Sequence, residues 1–173
     1  DLKTRKVVKN IVFVLGTENR INSLKPFQGK SYIGAGSMRG DDGRLNGWVL
    51  KLDKEGGFIW QKPLPRGLGG RFNVVDAFNS SYITVAGEAF PADSTQKRAA
   101  WVAMIHADSA DIAWQRYYRD DYNLSVADML IAEDEQISLL LNHWESRNEN
   151  DQDYIRLINV NARGTVLQAD SYY

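Results

Sequence analysis

Four groups of residues in this 173-residue chain have types and spacings suited to chemistry. Arg39 and Arg44 in one polar segment, with Lys97 and Arg98 in another, would form a basic patch for a carboxylate or phosphate if the two segments meet in space. Asp41, Asp42 and Asn46 are oxygen donors close enough in sequence to hold a hard cation such as calcium. The full spacing of a calcium loop is absent, and turn geometry accounts for Gly40 and Gly43. A third group, Glu145, Glu149, Asp151 and Asp153, is a second oxygen-rich stretch, with Arg147 in its midst. The two histidines, His106 and His143, are candidates for acid–base or metal work, but no carboxylate partner is recognisable for either.

Other chemistries are excluded. The chain has no cysteine, so it has no thiolate ligand or nucleophile and no disulfide. It has no Gly-x-Ser-x-Gly elbow and no Gly-x-x-x-x-Gly-Lys phosphate loop. We therefore expect no catalytic residue, no metal and no cofactor. Net charge is −1, which gives no general drive toward nucleic acid. The 43% hydrophobic and 25% charged content is that of an ordinary globular domain, with no apolar run long enough to span a membrane. Arg39-Gly40-Asp41 is similar to the integrin-binding tripeptide, but three residues do not carry an adhesive function.

The elements that must position these residues come from a repeating pattern. Gly47-Trp48-Val49-Leu50 corresponds to Ala100-Trp101-Val102-Ala103 and then to Asp153-Tyr154-Ile155-Arg156, with the aromatics 53 residues apart. Ile59-Trp60-Gln61 corresponds to Ala113-Trp114-Gln115 and then to Leu167-Gln168. A third marker, Ser31-Tyr32-Ile33-Gly34, corresponds to Ser81-Tyr82-Ile83-Thr84, with Glu135 to Asn142 in the last copy. Each marker is short, rich in β-branched and aromatic residues, and bounded by Gly, Asp, Asn or Ser, which predicts a strand. Around Trp48 the side chains alternate, with Leu50 and Leu52 on its face and Val49 and Lys51 on the other.

Each unit then reads as strand A, strand B, a long B–C loop, strand C, a tight turn and strand D. The expected fold is all-β: about three four-stranded antiparallel units, the first over about 5–66, the second over about 70–118 and the third over about 122–173. In the first unit Val7 to Leu15 is predicted as strand A. Residues 16–30 are read as an insertion, because Lys25, Pro26 and Gly29 make Asn22 to Lys30 a poor strand. The B–C loops are predicted at Ser37 to Asn46, Glu88 to Arg98 and His143 to Gln152. Pro63 to Arg71 and Arg119 to Asn123 are read as connections between units, Gly67 to Arg71 as a flexible one.

Leu52-Asp53-Lys54-Glu55-Gly56-Gly57-Phe58-Ile59-Trp60-Gln61-Lys62, with the Tyr-Ile-x-x-Gly strand before it, resembles the blades of bacterial repeat propellers of the quinoprotein-like and WD40-like group. The resemblance covers roughly residues 30 to 173 and implies a β-propeller fold rather than an activity. It also implies an exported protein, periplasmic or extracellular. Three blades fall short of a closed ring, which takes about four to eight. The chain, which begins at Asp1, is therefore expected to be a mature form or a segment of a ring. That ring would be completed by a second copy, by a protein partner or by further blades. The expected function is a non-catalytic protein-interaction or scaffolding module. It would bind through the face where the B–C loops and D–A connections meet, with Arg39, Asp41, Asp42, Arg44, Lys97, Arg98, Glu145, Arg147 and Asp151 as candidate contacts. The alternative is part of a cofactor- or carbohydrate-binding propeller enzyme whose site is shared around the completed ring.

Overall fold

The computed structural model describes residues 18–64, 69–93, 95–145 and 154–172. Among them every element is a strand, and no helix is long and apolar enough to cross a membrane. The first sheet holds β1 (Asn19–Phe27), β2 (Ser31–Arg39), β3 (Leu45–Asp53) and β4 (Phe58–Leu64). The second holds β5 (Gly69–Ala77), β6 (Tyr82–Phe90), β7 (Ala99–His106) and β8 (Ile112–Tyr118). The third holds β9 (Asn123–Ile131), β10 (Ile137–Trp144), β11 (Tyr154–Val160) and β12 (Val166–Tyr172). All three are antiparallel meanders in chain order, and none closes on itself or joins another by hydrogen-bonded pairing.

The sheets stack face to face. β5 packs on β1, β2 and β3 of the first sheet, and β9 packs on β5, β6 and β7 of the second. Period-two alternation assigns each side chain to one layer or the other. Ile33, Ala35 and Val49 of the first sheet meet Phe72, Val85, Trp101 and Ala103 of the second in one core. The opposite face of the second sheet, with Ala86, Ala100, Val102 and Met104, meets Leu124, Leu139, Leu141 and Ile158 of the third in another.

Strand A of the first sheet is β1, not Val7 to Leu15, which lies outside the described residues. Pro26 is compatible with a strand because β1 is at the sheet edge, where a missing N–H breaks no ladder. The turn that follows uses Gln28 and Gly29, both with positive φ. The insertion predicted at 16–30 is thus mostly strand and turn. β5 likewise begins at Gly69, inside the stretch expected to be a flexible connection. Gly70 permits close packing: a Cβ there would stand 2.6 Å from the Glu88 carbonyl oxygen and 3.1 Å from the Trp101 ring. The B–C loops are shorter than predicted, because β2 runs to Arg39, β6 to Phe90 and β10 to Trp144.

One register feature recurs in the first strand of every sheet. The pairing slips by one residue at Asn22 in β1, at Asn73 in β5 and at Ala127 in β9, leaving each as the extra residue of a bulge. The two asparagines reach forward into the next sheet. Asn22 Nδ2 donates to the Phe72 carbonyl at 2.7 Å, and Asn73 Nδ2 donates to the Val126 carbonyl at 2.8 Å and to Ser125 Oγ at 3.1 Å.

The third sheet departs from the sequence alignment. Its β11–β12 turn bonds Asn161 N to Thr165 O, as Asp53 N bonds Gly57 O and His106 N bonds Asp111 O. Counting back five residues from Asp53, His106 and Asn161 puts Arg156, not Tyr154, at the position of Trp48 and Trp101. Gln168, not Leu167, pairs at the position of Trp60 and Trp114. Trp48 and Trp101 each donate their indole N–H to a glutamine on the neighbouring strand, Gln61 and Gln115, at 3.2 Å. Arg156 has Ala169 at the place of that glutamine and turns to Asp120 instead.

Candidate functional site: a charged cleft between the second and third sheets

At the end of the stack where the β6–β7 loop lies, a cleft of about 410 Å³ opens between Arg71, Glu88 and Arg98 on one side and Ser125, His143 and Trp144 on the other. Glu88 sits on β6 in line with Ala86, on the face turned toward the third sheet, and is 0% exposed. Burying a carboxylate is costly unless it is paired. Here two guanidiniums hold it, with Arg71 Nη2 2.5 Å from Oε1 and Arg98 Nη1 2.9 Å from Oε2. The Arg98 guanidinium also lies over the Phe90 ring at 4.9 Å and near the Trp144 ring at 5.9 Å. Two cations against one anion leave this triad with one net positive charge.

The third sheet contributes an aromatic and imidazole wall. His143 on β10 is 1% exposed and stacks on Tyr154 with centroids 3.6 Å apart, while the Tyr122 ring lies 4.3 Å from His143 and edge-on to Tyr154 at 6.1 Å. Its Nε2 is 2.6 Å from the Tyr154 hydroxyl and 3.8 Å from Asp120 Oδ2, and Asp120 is bound in turn by Arg156. Burial lowers the His143 pKa, reinforced by the Arg156 charge and partly opposed by Asp120. The imidazole is therefore neutral at pH 7. His143 Nδ1, Arg71 Nε and Glu88 Oε1 are buried and have no hydrogen-bond partner among the described residues, so Arg71 meets Glu88 as an ion pair and not through a hydrogen bond.

The residues singled out by sequence fall in three places. Arg39, Asp41, Asp42 and Arg44 lie together around the exposed β2–β3 loop. Arg39 is clamped to Glu18 at 2.8 and 2.5 Å, Asp42 Oδ1 accepts the Arg44 amide at 3.0 Å, and the Arg44 guanidinium lies 4.0 Å from Asp42 Oδ2. Lys97 and Arg98 turn the other way, toward the third sheet: Lys97 pairs with Glu145 at 3.7 Å and Arg98 with Glu88. The four cations thus divide into two groups. Arg147 and Asp151 lie outside the described residues, as do Glu149 and Asp153. No group of three His, Asp or Glu suited to a metal ion occurs among the described residues.

Arg71, Glu88, Asp120 and Tyr154 were missed as site residues. One was visible in principle: Glu88 interrupts an otherwise small and apolar strand, Ala86-Gly87-Glu88-Ala89, where a lone carboxylate calls for cationic partners. Asp120 is the carboxylate neighbour that His143 lacks in sequence, and it lies on the connection between sheets.

No protein-family model matches the chain, and no curated protein sequence matches it.

Proposed function

We propose that the chain is a propeller segment acting as a non-catalytic interaction or scaffolding module, completed by a further sheet stacked on its third one. One observation carries this reading. Leu140, Ile155 and Leu157 occupy the register positions that Ala86, Ala100 and Val102 hold in the second sheet. The second-sheet residues are fully buried by the third sheet, whereas Leu140 is 38% and Ile155 48% exposed. Leu130 at 66% and Tyr172 at 57% extend the same open face. An apolar sheet face of this kind marks an interaction site.

At the other end of the stack Trp48, Leu50 and Leu52, on the first sheet's outward face, are buried, although Ile21, Leu24 and Tyr32 on that face are 41%, 53% and 39% exposed. The simplest occupant of the third sheet's open face is the same face of a second copy, related by a two-fold axis. Loops at the cleft end would then be free to meet other proteins.

Light scattering coupled to size exclusion tests this. We expect a mass near twice the 19.6 kDa chain that falls to one chain in Leu140→Asp. A wild-type chain that stays monomeric up to about 1 mM, weaker than any useful assembly contact, would remove the reading.

A further inference from the structure

We propose that the cleft between the second and third sheets is a binding site for a small aromatic carboxylate, held by the outer N–H groups of Arg98 and Arg71 with its ring against Trp144. The site stands on its own geometry and does not depend on how the stack is completed.

The triad has the design of a preset anion receptor. Glu88 is fully buried, hydrogen-bonded by Arg98 Nη1 and ion-paired with Arg71 Nη2, a contact that leaves Oε1 without a hydrogen bond. It acts as a strut that fixes both guanidiniums. Each guanidinium carries five N–H donors, so most remain after Glu88 is served. The two side chains are 40% and 45% exposed, and both line the cleft. The Arg71 Nε–H is buried and has no partner among the described residues.

Charge and shape then select the ligand. The triad's single net positive charge matches a monoanion. A phosphate dianion would meet the Glu88 carboxylate behind the same two arginines. A planar carboxylate suits the guanidinium fork, which can bind it through two parallel hydrogen bonds. Beyond the arginines Trp144 offers an apolar surface to a ring, with Ser125 as a polar neighbour. About 410 Å³ is the size of a pocket for one small molecule. His143 and Tyr154 close the wall without adding charge.

The test is a titration of the full chain with benzoate, followed through the Trp144 indole N–H resonance, with benzamide and inorganic phosphate as controls. Benzoate is expected to bind, and benzamide, which has the shape but not the charge, at least about tenfold more weakly. Arg98→Ala should weaken benzoate by at least about tenfold, and Arg98→Lys, which keeps the charge but loses the fork, by less. Glu88→Gln should tighten benzoate binding, because it removes the competing carboxylate. A purely structural role for Glu88 would not produce that sign. If Glu88→Gln does not fold, the order of Arg98→Lys and Arg98→Ala, with thermal midpoints matching wild type, decides. No resonance shift up to about 20 mM benzoate, equal binding of benzamide, or tighter binding of phosphate would each overturn the proposal.

Discussion

The Trp60 indole N–H donates to the Ala107 carbonyl at 3.0 Å, tying β4 of the first sheet to the β7–β8 turn of the second. Trp114 makes the same link one sheet on, to the Ala162 carbonyl at 2.8 Å. Trp60 and Trp114 therefore act as more than apolar filler: each is a hydrogen-bonded latch between consecutive sheets.

The Ala107 carbonyl has a second donor, Lys51 Nζ, also at 3.0 Å. Ala107 is fully buried, so its oxygen depends on these two side chains. Trp60→Phe should therefore cost only about 0.5–1 kcal/mol, since Lys51 still serves the carbonyl. Lys51→Met, which keeps most of the stem, should cost a similar amount. The double variant should lose more than the sum, by about 1 kcal/mol or more, because it strands a buried acceptor. Urea denaturation of the four proteins gives the coupling directly, and strict additivity would show that the two donors do not share the carbonyl.

The bulge asparagines give a second, graded prediction. Asn73 makes two bonds into the third sheet, and Asn22 makes one into the second. Asn73→Ala should destabilise by about 1–3 kcal/mol and Asn22→Ala by about half of that, at about 1 kcal/mol per bond net. The corresponding residue of the third sheet, Ala127, is exposed on the open side and reaches nothing. Ala127→Asn should leave stability within about 0.5 kcal/mol of wild type. Denaturant midpoints of the three variants check the ranking.

These links also show what a sequence can and cannot disclose. The three four-stranded units were legible because alternation around Trp48 and Trp101 and the turn at Gly56 are local properties. The first strand was missed because Pro26 is a poor strand residue only when the strand is central, and sequence alone does not say which strand is at the edge; Gly29 belongs to the turn after it. The third strand of the third unit was aligned two residues out because Tyr154 mimics the tryptophans in type while Arg156 holds their place. The cleft was the least legible feature. Arg71 and Glu88 come from two different strands and Arg98 from the loop after the second, and only the stacking of sheets sets them against His143.

The β9–β10 turn carries a local strain that can be relieved. Glu135 is exposed and has φ 64°, a left-handed conformation that a side chain disfavours by about 1–2 kcal/mol. Glycine adopts it freely but loses more entropy on folding, which offsets part of the gain. Glu135→Gly should therefore stabilise the chain by about 0.5–1 kcal/mol, seen as a rise of a few degrees in thermal midpoint. A fall would mean that the glutamate side chain contributes more than its backbone strain costs.

His143 should make stability depend on pH in a defined direction. Burial is the main reason its pKa is lowered, so the folded state holds the imidazole neutral while the unfolded chain protonates it near pH 6.5. Between those two pKa values the unfolded state binds more protons, and stability rises with pH. The contribution is complete above about pH 6.5, is lost as pH falls below it, and levels off once the folded imidazole also protonates. Asp120 favours the charged ring and Arg156 opposes it, while Tyr122 and Tyr154 enclose it without charge. His143→Phe keeps an aromatic ring between the two tyrosines and removes the proton site. It should be less stable at pH 7, because the Tyr154 hydroxyl loses its partner, and its stability should be flatter between pH 7 and about pH 5 than that of wild type. Asp93 and Asp111, whose pKa values are lowered by bonds from Thr95 and Lys62, titrate at more acidic pH and leave that window clear. Unfolding free energies measured across it should converge for the two proteins as pH falls. Parallel curves would show that the imidazole does not change its protonation on folding.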